Sequence, residues 1–315
     1  MKILVTGANG FVGRHLVSRL LESRSLNGRT ISQLVLMDMA FDEAFEEAHV
    51  RKIEGSIAEA GQFDMAFNDG PFDLVFHLAS IPGGAAEKHF DLGRRVNLEA
   101  TQRLLELLRH QESVPRLVFA STIAVYGSPM PSLVNDDTPL RPRMSYAIQK
   151  LAGEILIEDY SRHGWLDGIS LRLPGIVARP PQPSGLLSAF MSDVFWRLRD
   201  KERFACPVSP QAVAWWMSVS CCVDNLMHAA TLSGDELKTH RSMVLPVLRL
   251  TMAEVIEGLV RCFGHDRLEL VEYQPDKQLE ATFGAFPEMH ADIATGLGFT
   301  HDGDVDRLIE QAVRV

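Results

Sequence analysis

The chain has 315 residues, 46% hydrophobic and 23% charged, which suits one large α/β domain, or one domain with a smaller appendage, around a sizeable core. Its net charge of −10 argues against nucleic acid as a partner, and no apolar run approaches the roughly 18 residues of a membrane helix. The opening residues read as a strand rather than a cleavable leader, and the four cysteines lack metal spacing; a cytoplasmic protein with buried thiols and no metal site is expected.

The first predicted strand, Lys2–Thr6, runs into "GANGFVG", and a helix is predicted from Val12 to Ser23. Gly7 permits a tight turn, Gly10 lets backbone approach a pyrophosphate, and Gly13 lets helix and strand pack closely. The helix start, with Phe11 and Val12 among its first residues, offers N–H groups and a partial positive charge to phosphate. This strand–loop–helix order points to a dinucleotide. The second strand, Gln33–Met37, leads to Asp38, whose carboxylate suits ribose 2′- and 3′-hydroxyls and repels a 2′-phosphate. Met39 and Ala40 bring no cation, so NAD is favoured over NADP.

Strands predicted at Val50–Ile53, Asp73–Leu78, Arg116–Ala120 and Ile169–Leu173 alternate with helices at Ile57–Phe67, Glu87–Gln111 and Ser145–His163. The alternation predicts an α/β fold with a Rossmann-type doubly wound parallel sheet over residues 1–175. Past Pro174, "RPPQPSG" is a turn-rich break. Residues 176–315 read as a smaller α/β lobe for substrate, with a soft boundary that allows interleaving. Helices are predicted there at Leu186–Asp200 and Val223–Thr231, and strands at "MVLPV" and "LELVEY". Thr251 and Glu254 form a capping box for a helix ending near Phe263, and two short helices close the chain.

Two stretches carry chemistry. "SYAIQK" places Tyr146 and Lys150 four apart, on one helical face. A tyrosine with a pKa of about 10 is a poor base at neutral pH, and a nearby ammonium lowers that value. Tyr146 can then take the proton of an alcohol while hydride leaves its carbon. "FASTIAVYG" supplies Ser121 and Thr122 as hydroxyls at the sheet's carboxyl edge, where open α/β sheets bind ligands.

In this order the glycine loop, the Asp after strand two, "HLAS", "STIAVYG" and YxxxK resemble the extended short-chain dehydrogenase/reductase family, well over residues 1–180 and loosely beyond. The resemblance implies that Thr122 is catalytic with Tyr146 and Lys150, and that Ser121 shapes the substrate site. It also implies that Leu78, Ala79 and Ser80 line the cofactor and Pro174 and Val177 its nicotinamide end; where the family often has an Asp against adenine this chain reads "EGSI", so Ser56 would substitute for it, with backbone contacts from Ile57. Asn97 matches an asparagine that is usually structural. A homodimer through helices around 95–110 and 147–162 is implied too; Leu104, Leu105, Leu107 and Leu108 give the first of these apolar surface on more than one side, which fits a partner, although burial against the sheet alone would also explain it.

"ASIPGGAAEKHFDLGRRVNLEAT", "LRLPGIVARP" and "HAATL" are similar to the group of this family that oxidises the 2-hydroxyl of D-erythronate, a small sugar acid, with NAD. Gly83 and Gly84 would let backbone approach a small ligand, and Arg143, Arg179, Lys88 and His89 are candidate partners for its carboxylate. Trp215 and Trp216 are either pocket wall or core. Ile123 and Ala124 after Thr122 argue against a dehydratase, and Pro174 and "WWMSVSCCVDN" depart from nucleotide-sugar members. A nucleotide-sugar epimerase, a carbonyl reductase on a non-acid substrate and a non-catalytic dinucleotide sensor remain the alternatives.

Overall fold

The computed structural model describes residues 1–41, 45–181 and 186–314. Its contacts form two compact units, each built from separate stretches of chain. The first comprises Met1–Val125, Pro142–Arg172 and Val223–Met243, and the second Tyr126–Arg141, Leu173–Cys222 and Val244–Val315. The chain leaves the first unit between Arg172 and Leu173, close to the expected break. It also crosses after Val125, where no composition change marks the passage. Of "RPPQPSG", Gln182–Gly185 lie outside the described residues.

The first unit is organised by a seven-stranded sheet: β1 Lys2–Thr6, β2 Gln33–Asp38, β3 Val50–Glu54, β4 Leu74–His77, β5 Arg116–Thr122, β6 Asp167–Leu173 and β7 Ser242–Val244. Their order is β7-β6-β5-β4-β1-β2-β3, and β1 pairs in parallel with β2 and β4, β2 with β3, and β4 with β5. Ile3, Leu4 and Val5 of β1 are fully buried, as a strand covered on both faces requires. The reversal of order beside β1 is where such sheets open a crevice at their carboxyl ends.

Register decides what meets there. Thr6 pairs with both Met37 and His77, and His77 pairs with Phe119. The residues that follow, Gly7, Asp38 and Leu78, therefore leave the sheet along one edge. Helices of the first unit include α1 Phe11–Ser23, α2 Gln62–Phe67, α3 Gly83–Lys88, α4 Ala100–Arg109 and α5 Ser145–Arg162. Leu104, Leu105 and Leu108 of α4 are fully buried against this sheet's core, so they offer no surface to a partner chain.

Two expected helices are shorter or less regular than their sequence pattern. That over Ile57–Phe67 begins only at Gln62, because Gly61 sits at φ 88 and breaks the turn before it. That over Glu87–Gln111 starts earlier, at Gly83, and between α3 and α4 passes through a π-helical segment, Arg94–Glu99. The wider turn carries Asn97, whose side chain bonds Ile81 outside the helix; such insertions are frequent at functional sites.

The second unit centres on a three-stranded sheet of Gly175–Val177, Val213–Ser218 and Leu248–Thr251. The apolar stretch "AVAWWMSVSCC" splits into the Val213–Ser218 strand and the start of a helix over Val219–Thr231. Thr251 caps the Met252–Phe263 helix through the expected capping box. Of "LELVEY" only Val271–Tyr273 is strand, and three helices rather than two follow it. Trp215 and Trp216 belong to this unit's interior; their indole N–H groups donate to Pro287 O at 2.9 Å and Leu250 O at 3.2 Å. Cys206, Cys221 and Cys222 are buried as expected, whereas Cys262 is exposed, its place on the Met252–Phe263 helix facing outward. No group of residues able to hold a metal ion, and no helix long and apolar enough to cross a membrane, occurs among the described residues.

Candidate active site

The glycine loop has the geometry that its sequence requires. Gly7 adopts φ +72, and a Cβ there would stand 2.7 Å from Ala79 N; a Cβ at Gly13 would stand 2.0 Å from Gly7 O. Gly10 is exposed at the N-cap of α1, where no side chain caps the helix and no acid occupies its first turn. Phe11 and Gly13 are buried beneath it, with Val12 half-buried. The loop thus presents backbone at a positively polarised helix end.

Asp38 is fixed by two backbone donors, Asn9 N at 2.8 Å and Met39 N at 2.7 Å, one on each carboxylate oxygen. Asn9 also donates from Nδ2 to Ala40 O at 2.8 Å, which ties the glycine loop to the chain leaving β2. Its Oδ1 is buried and has no partner among the described residues. An orphaned acceptor beside a glycine cradle and an oriented carboxylate fits the adenosine half of a dinucleotide, whose hydroxyls would serve both. Asn9 was missed in the sequence because its neighbouring glycines drew the reading; its place between Gly7 and Gly10 was the available signal.

A hydrogen-bonded chain supports the loop after β4. Ala79 N donates to Thr6 Oγ1 at 3.3 Å, Thr6 Oγ1 lies 2.7 Å from His77 Nδ1, and His77 Nε2 lies 2.9 Å from Thr101 Oγ1. Thr101 gives its own proton to Asn97 O at 3.0 Å, so it accepts from His77, and the proton of a neutral His77 sits on Nε2. Burial, with Lys150 adding repulsion, pushes the His77 imidazole down to about 3. Asn97 then clamps Ile81 through both backbone groups, Ile81 N to Oδ1 at 2.7 Å and Nδ2 to Ile81 O at 3.0 Å, and reaches Gln149 Oε1 at 2.8 Å. Leu78, Ala79 and Ser80, half-buried, are held between these two fastenings. Ser56 and Ile57 follow β3; Ser56 Oγ accepts from Ala58 N at 3.3 Å and Ile57 is buried.

Tyr146 and Lys150 lie on α5 one turn apart, with Tyr146 half-buried and Lys150 1% exposed. Lys150 Nζ stands 4.6 Å from the centre of the Phe119 ring, whose other neighbour is the stacked His77 ring, 5.6 Å away. Burial lowers the Lys150 ammonium to about 7, and Glu154 pulls it back up. Thr122 ends β5, half-buried, with Oγ1 accepting from Ala124 N at 3.2 Å. Gly83 opens α3 close to Tyr146: a Cβ on it would stand 3.7 Å from Tyr146 Cδ1 and 3.0 Å from Met144 Cε.

Other expected residues fall elsewhere. Ser121 is buried and its hydroxyl donates to Glu154, which commits that group to the interior rather than to a substrate. Glu154 is paired with Arg172, Nη2 to Oε2 at 2.8 Å. This buried pair was unread in the sequence, although Glu154 follows Lys150 by one helical turn. Arg143, Lys88 and His89 are exposed, and Gly84 is half-buried beside Gly83. Pro174, Val177 and Arg179 belong to the second unit; Pro174 and Val177 are buried, and Arg179 N and O bond Ser192 Oγ and Trp196 Nε1.

Residues 3–213 match the family described as NAD dependent epimerase/dehydratase. The chain is 38% identical, over 98% of its length and 97% of the relative's, to a protein of Cupriavidus necator named D-erythronate dehydrogenase. A protein of Haemophilus influenzae with the same name is 31% identical over 99% of both chains. Among solved structures, one described as the nucleoside-diphosphate-sugar epimerase from Agrobacterium tumefaciens superposes with a TM-score of 0.91 at 32% identity, covering 98% of this chain and 92% of that one.

Proposed function

Since the chain belongs to the NAD dependent epimerase/dehydratase family, we propose that it is an NAD-dependent dehydrogenase that oxidises the 2-hydroxyl of a small sugar acid of the D-erythronate kind to the 2-oxo acid. The likeness to the two D-erythronate dehydrogenases over nearly the whole of both chains carries this reading. Family membership implies a nicotinamide cofactor. Asp38, held by two backbone N–H groups, favours NAD over NADP within that class.

Gly7, Gly10 and Gly13 with the start of α1 would hold the pyrophosphate, Asp38 the ribose, and the Leu78–Ser80 stretch the middle of the cofactor. NAD held there would supply the hydride acceptor for the carbinol carbon. Thr122 donates a hydrogen bond to the substrate oxygen, and Tyr146, as phenolate, takes the hydroxyl proton at Oη. The Lys150 ammonium one turn away favours that phenolate. The substrate carboxylate calls for a cation, and Arg143, exposed three residues before Tyr146 in the same unit, is the candidate beside the reacting groups. The first unit is then the cofactor unit and the second the substrate unit.

The experiment is NADH formation by purified protein with a panel of aldonic acids, with uridine-diphosphate sugars alongside. Turnover of a four-carbon acid with NAD, lost in Tyr146→Phe while cofactor binding persists, supports the proposal. Conversion of a nucleotide sugar with no acid oxidised would favour the epimerase reading that the Agrobacterium protein's description offers. A homodimer is proposed through α5, which exposes Ile148 (54%) and Ile155 (59%) seven residues apart on one face. Light scattering at micromolar concentration showing a monomer would reject it. Location in the cytoplasm is proposed on composition and on kinship with these enzymes.

A further inference from the structure

We propose that Glu154 is a positioning residue for the oxidation: it ties the helix of Tyr146 and Lys150 to the strand of Thr122 and keeps Lys150 charged in a dry interior. The proposal rests on the reading above, in which these three residues carry the chemistry.

Glu154 is 2% exposed and lies on α5 one turn beyond Lys150. Its carboxylate gathers three elements. Ser121, the residue before Thr122 on β5, donates its hydroxyl to Oε1. Arg172 on β6 donates from Nε to both oxygens at 3.2 Å and from Nη2 to Oε2 at 2.8 Å. A buried carboxylate persists as an anion only with such donors around it. The geometry fixes how far the end of β5 stands from the face of α5 that carries Tyr146 and Lys150, and so how far the Thr122 hydroxyl stands from the Tyr146 ring.

The second task is electrostatic. Around Lys150 the structure places the Phe119 ring of β5, His77 of β4 beyond it, Tyr146 one turn back and Glu154 one turn ahead. His77 is neutral at physiological pH, since burial carries it to about 3. Glu154 is the anion whose field opposes the loss of the Lys150 proton. A neutral amine could not hold Tyr146 as a phenolate. Arg172 is paired with Glu154 and offsets part of its field at Lys150.

The test reads Lys150 directly, by nuclear magnetic resonance of protein carrying nitrogen-labelled lysine, with the Nζ signal assigned by its loss in Lys150→Met. In Glu154→Gln the titration midpoint of Lys150 should fall by about one pH unit, since an anion is lost and the Arg172 cation is left behind. In Glu154→Gln/Arg172→Gln the midpoint should return most of the way, although every charged hydrogen bond of the cluster is gone. The double variant also removes the Arg172 guanidinium that the single one leaves buried without its carboxylate, so it is the less destabilised of the two. The alkaline limb of kcat/KM with NAD and a sugar acid should follow the same order. A Lys150 that titrates as in the wild type in Glu154→Gln, whatever the stability, overturns the proposal, as does a double variant displaced as far as the single one. Should the wild type oxidise no sugar acid, the proposed substrate falls while the titration still decides the role of Glu154.

Discussion

His77 links the acid stability of the protein to the loop that would cradle its cofactor. The ring is 1% exposed, bonded on both nitrogens by threonine hydroxyls, and kept neutral by burial down to about pH 3. In the unfolded chain the ring binds a proton at its ordinary value of about 6.5. Between those values the unfolded state holds more protons than the folded one, so stability falls as pH falls. At 1.36 kcal/mol per pH unit, lowering the pH from 6.5 to 4 removes about 3 kcal/mol through this one ring. The assay is urea unfolding followed by tryptophan fluorescence between pH 7 and pH 4, comparing the wild type with His77→Gln. Glutamine offers a donor and an acceptor but does not titrate. The variant should be less stable at pH 7, through imperfect packing, and should lose less on acidification. Parallel pH dependences in the two proteins would refute the argument.

Asn97→Ala should destabilise the protein by about 3 kcal/mol, since three hydrogen bonds to Ile81 N, Ile81 O and Gln149 each contribute on the order of 1 kcal/mol. The same change should weaken cofactor binding measured by fluorescence titration, because the loop through Leu78–Ser80 loses one of its two fastenings. Gly13→Ala should weaken cofactor binding at least tenfold, as a Cβ 2.0 Å from Gly7 O forces the loop away from α1; unchanged affinity would count against the cradle. Asp38→Ala should raise the dissociation constant for NAD by roughly ten- to a hundredfold, the worth of a charged hydrogen bond, and relax discrimination against NADP. An unchanged cofactor preference would remove Asp38 from the ribose site.

The glycine loop, Asp38 at the end of a strand and the Tyr146–Lys150 spacing were legible in the sequence because each depends on neighbours near in the chain. Local sterics at Gly7 and Gly13, the two-residue period of strands and the turn of a helix fix them wherever the chain folds. The alternation of strands and helices was legible for the same reason, and it specified a parallel sheet. Other features needed distant partners. Gly61 delayed the start of one helix and a wider turn at Asn97 interrupted another, each through geometry that a periodicity count does not register. Leu104, Leu105 and Leu108 looked like partner surface until the fold covered them. Ser121, a pocket hydroxyl by its neighbours, turned inward because Glu154 and Arg172, 33 and 51 positions away, needed a third partner. His77 acquired its neutral state only when the fold buried it, with Lys150 of a distant helix adding repulsion. The sequence by itself determined where backbone could bend and which side chains could react. The tertiary structure decided their charge and bonding, because both depend on which groups from distant parts of the chain exclude water around them.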